Sequence, residues 1–133
     1  IDSKTRLELM QIAKGKTKVI SSNHFSEEPG SASEIINDIE DMVESGDIIK
    51  VCYNTSGRNS GLKLFEAAWM LKESDQKTAI MGMGVGGDWT RIHAPLLSQD
   101  LVYSTMETGS HLSSQGRINA SDLLIAWEML NYE

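Results

Sequence analysis

The sequence has little cysteine, few basic residues and no long hydrophobic run, and each shortage excludes a class of protein. The single cysteine, Cys52, cannot staple a secreted scaffold, and no signal-peptide pattern opens the chain, so we expect a cytoplasmic protein. Lys and Arg number 12 against 19 Asp and Glu, and the formal net charge of −7 argues against a nucleic-acid partner. No apolar run approaches the roughly 20 residues that cross a bilayer, so no membrane span is predicted.

What is present has the composition of a single globular domain. Hydrophobic residues make up 40% and charged residues 23% of the 133 residues, which is enough to form a packed core. Strand-like apolar runs alternate with helix-like amphipathic runs. Strands are predicted over residues 17–23, 47–53, 78–83 and 101–105.

A helix is predicted before the first strand and after every strand except the third, which a glycine-rich turn follows. The first covers residues 1–14 and stops at Gly15. The second begins at a capping box formed by Ser31 and Glu34, and its apolar stripe continues to Val43. A polar loop over residues 54–61 precedes the third helix. Asn119 and Asp122 are typical of a helix N-terminus and indicate the start of the last helix.

Nearly continuous apolar strands alternating with helices indicate an α/β fold with parallel strands. An open doubly wound sheet and a (β/α)₈ barrel both satisfy this pattern. Because a typical barrel takes about 250 residues, a chain of this length holds only about four of its βα units. We expect Val19, Ile49 or Val51, Ile80 and Val102 to face the inside of such a barrel. Because the strands on the opposite side of the barrel are missing, we predict that the chain is not a self-sufficient monomer.

Two residues at neighbouring strands are candidates for chemistry. Lys50 interrupts an apolar strand, so either its stem packs while the amine reaches solvent, or the amine is desolvated and forms a Schiff base with a ketone. His24 follows the first strand directly, at the carboxyl end where α/β active sites lie. Proton abstraction next to an imine needs a base close to the lysine, which favours His24. His93 and His111 are interpreted as surface residues.

Gly82, Gly84 and Gly87 match the spacing of the dinucleotide fingerprint, but their surroundings argue against that function. A fingerprint opens a full helix directly after the turn and has an acidic residue at the end of the next strand. Here the segment that follows allows only a short helix, and Asp100 precedes the next strand instead. Arg91 is better interpreted as a fork for a carboxylate or a phosphate.

Several short motifs follow one another at fitting intervals between about residue 18 and residue 130. They are Ser21-Ser22-Asn23-His24-Phe25 with Pro29, Asp47-Ile48-Ile49-Lys50-Val51, Met81-Gly82-Met83-Gly84 with Gly87 and Thr90-Arg91, Leu101-Val102-Tyr103-Ser104, and Ser113-Ser114-Gln115-Gly116-Arg117-Ile118 before Asp122-Leu123. Each motif is modest alone, but the ordered set resembles the type I 3-dehydroquinate dehydratases of the shikimate pathway. The resemblance implies a (β/α)₈ barrel that dehydrates 3-dehydroquinate to 3-dehydroshikimate without a metal or cofactor.

The resemblance also implies a role for individual residues. Lys50 matches the lysine that forms the imine, and His24 matches the general base that then acts as acid for the departing hydroxyl. Arg91 matches the arginine that holds the substrate carboxylate. The remaining matched positions line the pocket or belong to the loop that covers the substrate: Met81, Met83, Tyr103 and Ser113.

The sequence departs from the family in this covering loop and in its length. The loop reads Ser-Ser-Gln-Gly-Arg where the family usually has Ser-Ala-Pro-Gly-Gln, so Arg117 replaces a substrate-contacting glutamine, with Gln115 as an alternative contact. The family's first four strands are absent, so residues 1–133 are expected to be the C-terminal half of one barrel domain. Its partners would be the substrate and either the missing half or a second copy in a homodimer. Another Schiff-base barrel lyase or aldolase, and a non-catalytic half-barrel, are the alternatives.

Overall fold

The computed structural model describes residues 2–132, which form a parallel sheet with connecting helices. In chain order the elements are α1 (Ser3–Ala13), β1 (Ile20–His24), α2 (Ala32–Glu40), a 3-10 helix (Val43–Ser45), β2 (Ile48–Ser56), α3 (Arg58–Met70), β3 (Lys77–Val85), α4 (Trp89–Ile92), α5 (His111–Ser114) and α6 (Ala120–Met129). The strands pair in the order β1-β2-β3, all parallel, which confirms the predicted α/β class. Within the described residues, no helix has the length and apolar character needed to cross a membrane.

The predicted capping box at the start of α2 is confirmed. At α2, the Ser31 backbone N–H donates to Glu34 Oε2 at 2.7 Å, and the Glu34 backbone N–H donates to Ser31 Oγ at 3.3 Å. The apolar stripe, however, does not continue as one helix to Val43. The helix ends at Glu40 and the chain turns through the 3-10 helix, so that Val43 is 39% exposed.

The prediction of a polar loop over residues 54–61 is wrong. Residues 54–56 extend β2 and pair with residues 83–85 of β3, and α3 begins at Arg58. Their polar side chains do not oppose this, because a ladder is formed by backbone groups and the exposed end of a strand tolerates Asn54 and Ser56. The strand end therefore reaches further than the apolar run indicates.

The fourth predicted strand, over residues 101–105, is also wrong. Only Thr105 forms a bridge, with Asn119. The outer edge of β3 is already bonded to side chains, since the Thr78 N–H donates to Asp100 Oδ2 at 3.1 Å and the Ile80 N–H donates to Gln99 Oε1 at 2.6 Å. A neighbouring strand would need these same backbone groups. Residues 2–132 therefore contain three strands rather than four.

The two faces of the sheet differ sharply, and the predicted inward positions lie on the wrong one. Ile49, Val51 and Ile80 are fully or almost fully buried against α2 and α3, in the main hydrophobic core. The opposite face carries alternate residues of the three strands: Ser22, His24, Lys50, Cys52, Ala79 and Met81. That second face holds the candidate site. Val19 and Val102 lie outside the strands and are half-buried.

Candidate active site

Parallel pairing of β1 with β2 brings the predicted lysine and histidine together. Ser22 is in register with Lys50, and His24 is in register with Cys52, so these side chains share one face of the sheet. Lys50 Nζ lies 2.8 Å from His24 Nε2 and 3.2 Å from Ser22 Oγ. The geometry supports the second interpretation of Lys50, in which the amine points into a site rather than to solvent.

Lys50 is buried and has no carboxylate partner among the described residues. The residue is 7% exposed, and it forms no salt bridge with any of the described residues. The Tyr103 ring lies beside it, with the ring centre 5.1 Å from Nζ. A lysine amine can act as a nucleophile toward a ketone, and no salt bridge among the described residues occupies this one.

A pocket of about 430 Å³ opens over Lys50. Its lining residues are His24, Lys50, Cys52, Met81, Met83, Arg91, Tyr103, Ser104, Gln115 and Arg117. Two of these, Arg91 and Arg117, are cations and none is a carboxylate, although the chain carries a net charge of −7. A cavity lined by one sign of charge attracts ligands of the opposite sign, so the pocket suits an anion.

Arg91 is buried and uses most of its donors on the backbone. Its Nη1 donates to the carbonyl oxygens of Gly82, Gly87 and Gly116 at 2.9, 2.5 and 2.5 Å, and its Nε donates to that of Tyr103 at 3.0 Å. Burial lowers the pKa of this guanidinium. Backbone carbonyl oxygens accept from Nε and Nη1, and only Nη2 has no such contact within residues 2–132. Arg91 therefore does not offer a ligand the predicted fork of two nitrogens.

The glycine-rich turn serves Arg91 rather than a nucleotide. In a dinucleotide site the turn directs backbone N–H groups at phosphates, whereas here two of its carbonyl oxygens accept from Arg91. The helix that follows, α4, has only 4 residues. Gly116 packs against this turn with φ +66°, and an added Cβ would lie 2.5 Å from the Gly84 oxygen, so the loop approaches closely only with glycine there.

The predicted covering loop contributes two residues to the pocket, not three. Gln115 and Arg117 line it, while Ser113 is exposed on α5 and lies outside the lining. Arg117 Nη2 pairs with Glu107 Oε1 at 2.8 Å and also donates to Thr105 Oγ1 at 3.0 Å. The hydrogen bond and charge of Arg117 lower the pKa of Glu107.

The prediction of pocket residues missed Cys52 and Ser104, although Met81, Met83 and Tyr103 do line the pocket. Cys52 could have been found, because it lies two positions after Lys50 and so shares its face of the strand. Burial raises the pKa of the Cys52 thiol. Ser104 carries no comparable signal, since the segment that holds it is not a strand.

His93 is not the surface residue that the sequence suggested. It is half-buried, with Nδ1 2.8 Å from the Tyr132 hydroxyl and its ring edge-on to Phe65 at 5.6 Å. These contacts join α4 to the end of the chain, away from the pocket lining. His111 is exposed, as predicted.

Comparison with known proteins decides the family. The sequence model of the type I 3-dehydroquinases matches residues 1–132. The chain belongs to this family. Among curated relatives, the 3-dehydroquinate dehydratase of Methanosarcina acetivorans is 27% identical over 118 residues, and that of Methanococcus vannielii is 32% identical over 108 residues.

The match covers most of this dehydroquinase-family chain but only part of its relatives. The two alignments include 89% and 81% of the chain, and 48% and 47% of the relatives, so the chain spans about half of their length. The type I 3-dehydroquinate dehydratase of Clostridium difficile superposes with a TM-score of 0.82 at 23% identity, covering 97% of this chain and 51% of that one. The enzyme of Geobacillus kaustophilus gives the same score at 17% identity, over 97% of this chain and 50% of that one. The chain therefore shares the α/β fold of these two structures over about half of their length.

Proposed function

We propose that this chain carries the Schiff-base half of a 3-dehydroquinate dehydratase, which converts 3-dehydroquinate to 3-dehydroshikimate in the cytoplasm without a metal or cofactor. One observation carries the proposal: the Lys50 amine and the His24 imidazole lie 2.8 Å apart at a pocket with cationic lining. The family membership and the names of the curated relatives support the same reaction.

The reaction begins at Lys50. Its neutral amine attacks the substrate ketone, a C–N bond forms, and, with one proton taken up from solvent, the former carbonyl oxygen leaves as water to give an iminium ion. His24 then removes a proton from the adjacent carbon, and the C–H electron pair moves toward the iminium nitrogen to give an enamine. Proton transfer of this kind typically contributes about 10²–10⁴-fold to the rate.

The enamine completes the elimination. The nitrogen electron pair moves back, a carbon–carbon double bond forms, and the hydroxyl on the next carbon leaves as water with the proton held by His24. Water then adds to the iminium carbon, the C–N bond breaks, one proton returns to solvent, and Lys50 is released as the neutral amine. One substrate molecule thus loses one water, since the water released at imine formation is consumed at hydrolysis.

The substrate carboxylate is placed at the cationic part of the pocket. Nη2 of Arg91 supplies one donor, and Arg117 supplies a second once it leaves Glu107. Gln115, whose Oε1 accepts from Arg117 Nη1 at 3.2 Å, is the other polar contact that the loop offers. Met81, Met83 and Tyr103 provide the apolar and aromatic walls.

We also propose that residues 1–133 are the C-terminal half of a (β/α)₈ barrel, closed by further βα units or by a second copy in a homodimer. Within the described residues, β1 pairs only with β2 and leaves its other edge open. The polar face of the sheet is open at the same place, since Ser22 and His24 are both exposed. Closing a barrel pairs such an edge and covers such a face.

Borohydride reduction tests the proposed function. With 3-dehydroquinate present, reduction is expected to fix the mass of the ligand on Lys50 in the full-length protein, because an imine is reduced to a stable amine. Lys50→Ala and Lys50→Arg are expected to abolish this adduct, since arginine keeps the charge but is not an amine nucleophile. Lys63→Ala, at an exposed lysine of α3, is the matched control and should be labelled as the wild type.

Two results would contradict the proposal. An adduct that survives Lys50→Ala would remove Lys50 from its role. Trapping of other ketones but not of 3-dehydroquinate would indicate another Schiff-base lyase or an aldolase instead.

A further inference from the structure

The geometry points to Ser22 as a positioning residue for Lys50, a role that rests on the imine chemistry of the proposed function. Ser22 is outside the pocket lining, and we infer that it acts on the amine rather than on the ligand. Its hydroxyl would hold Nζ in line for attack and then hold the imine nitrogen during proton transfer.

The sheet register builds this contact. Ser22 on β1 lies directly opposite Lys50 on β2, and His24 lies two residues further along the same face of β1. Lys50 Nζ therefore has one β1 partner on each side, Ser22 Oγ at 3.2 Å and His24 Nε2 at 2.8 Å. A long lysine side chain has many rotamers, and two such contacts restrict the amine to one position.

The reaction makes Ser22 more important after the imine forms. While His24 carries the proton taken from the substrate, both of its ring nitrogens are donors, so it no longer accepts a hydrogen bond from Lys50 Nζ. The substrate-bound nitrogen has a single N–H, both in the iminium ion and in the enamine that proton removal gives, and Ser22 Oγ is then its fixed acceptor. That bond determines which side of the C=N group the substrate carbon occupies, and so keeps that carbon next to His24. The Tyr103 ring, 5.1 Å away, attracts the cation but offers no comparable acceptor.

The neighbouring serine provides a matched control. Ser21 points to the opposite face of the same strand, is buried, and accepts a hydrogen bond from Ser45 Oγ at 2.7 Å. Removing the Ser21 hydroxyl disturbs the packing of β1 without touching Lys50. A purely structural effect on the strand would therefore be seen with Ser21→Ala as well as with Ser22→Ala.

The test compares the wild type with Ser22→Ala, Ser22→Thr and Ser21→Ala in the full-length protein. Imine formation is measured by borohydride trapping of 3-dehydroquinate, and separately by cyanoborohydride reduction with glyoxylate, a small aldehyde. Peptide mapping gives the rate at Lys50 relative to the exposed Lys16, which serves as an internal reference.

We expect Ser22→Ala to slow trapping at saturating ligand on the order of 10-fold, as for loss of one hydrogen bond to a charged group. The ligand concentration for half-maximal trapping should stay the same, because Ser22 does not line the pocket. Ser22→Thr keeps the hydroxyl and should restore most of the rate, and Ser21→Ala should react as the wild type.

Wild-type rates at Lys50 in Ser22→Ala with both ligands would overturn the inference, as would equal slowing by Ser21→Ala. If the wild type reacts with glyoxylate but not with 3-dehydroquinate, the proposed dehydratase function fails. The glyoxylate rates then still decide the role of Ser22.

Discussion

Arg91 shows how one side chain can connect the walls of a site. Its guanidinium joins the end of β3, the glycine-rich turn, the segment at Tyr103 and the loop at Gly116. An Arg91→Ala variant would therefore lose these backbone contacts together with any contact to a ligand. A loss of ligand affinity in that variant would combine the lost backbone contacts with the lost contact to the substrate carboxylate. Arg117 is therefore the better position for testing the effect of positive charge on ligand binding.

Glu107 reports whether the Arg117 pair is formed in solution. The hydrogen bond and positive charge of Arg117 lower the pKa of Glu107, so Arg117→Gln is expected to raise that pKa toward its ordinary value of 4.5. NMR titration of the Glu107 side-chain carboxyl measures the change. Any stability from this pair is present above the unfolded-state pKa and is lost as the pH falls through the lowered folded-state value.

His111 provides the comparison for this titration. It also contacts Glu107, with Nε2 3.7 Å from Oε2, but contributes less to lowering the pKa of Glu107 than Arg117 does. His111→Gln should therefore raise that pKa by a smaller amount. If Arg117→Gln leaves the pKa of Glu107 unchanged, Arg117 is not held by Glu107 and is free to meet a ligand without competition.

Among the elements, β3 shows that side chains can end a sheet. Gln99 and Asp100 follow α4 and bond the outward N–H groups of Ile80 and Thr78, where a fourth strand would otherwise pair. Gln99 Nε2 also donates to Thr78 Oγ1 at 3.1 Å, which fixes its amide. The following segment then leaves the sheet edge and carries Tyr103 over Lys50 instead.

Replacing Gln99 tests this account of the edge. Gln99→Ala should lower the free energy of unfolding by about 1–3 kcal/mol, because it leaves the N–H of the buried Ile80 without an acceptor. Gln99→Glu retains an acceptor oxygen and should lose less. Urea denaturation of the full-length protein measures both, with Gln11→Ala at an exposed position as the control. Equal stability of Gln99→Ala and Gln11→Ala would refute the account.

At the scale of the whole molecule, two surfaces of the chain are unsuited to an isolated monomer. The outer edge of β1 has no partner strand within residues 2–132. On α6, the large apolar side chains of Leu124, Ile125 and Met129 are 62%, 54% and 79% exposed. Unpaired edges and clustered apolar side chains both promote association.

We therefore expect residues 1–133, prepared alone, to self-associate and to lack ordinary dehydratase turnover. Lys50 and His24 would still be in place, but the open face around them would be exposed to water or covered by another copy. Sedimentation velocity and a dehydration assay on the same preparation measure the two expectations. A monodisperse monomer that dehydrates 3-dehydroquinate at ordinary enzyme rates would show that these residues are active without further βα units or a second copy.

Alternation of apolar and amphipathic runs was enough to predict the α/β class, the capping box at Ser31 and three of the strands. The motif order also predicted His24 and Lys50, whose side chains share one face of the adjacent parallel strands β1 and β2. Their separation and the pocket lining depend on pairing register, which a single strand does not encode. The same limit explains why Ile49, Val51 and Ile80 were assigned to the open face.

Local sequence thus indicated the three segments that become strands and the residue types that can carry imine chemistry, but it also indicated a fourth strand that does not form. Tertiary structure alone decided which face of each strand is packed, that Gln99 and Asp100 occupy the edge of β3, and that Ser22 stands opposite Lys50. Periodicity specifies that side chains alternate between two faces, but only packing against α2 and α3 determines which face is inside.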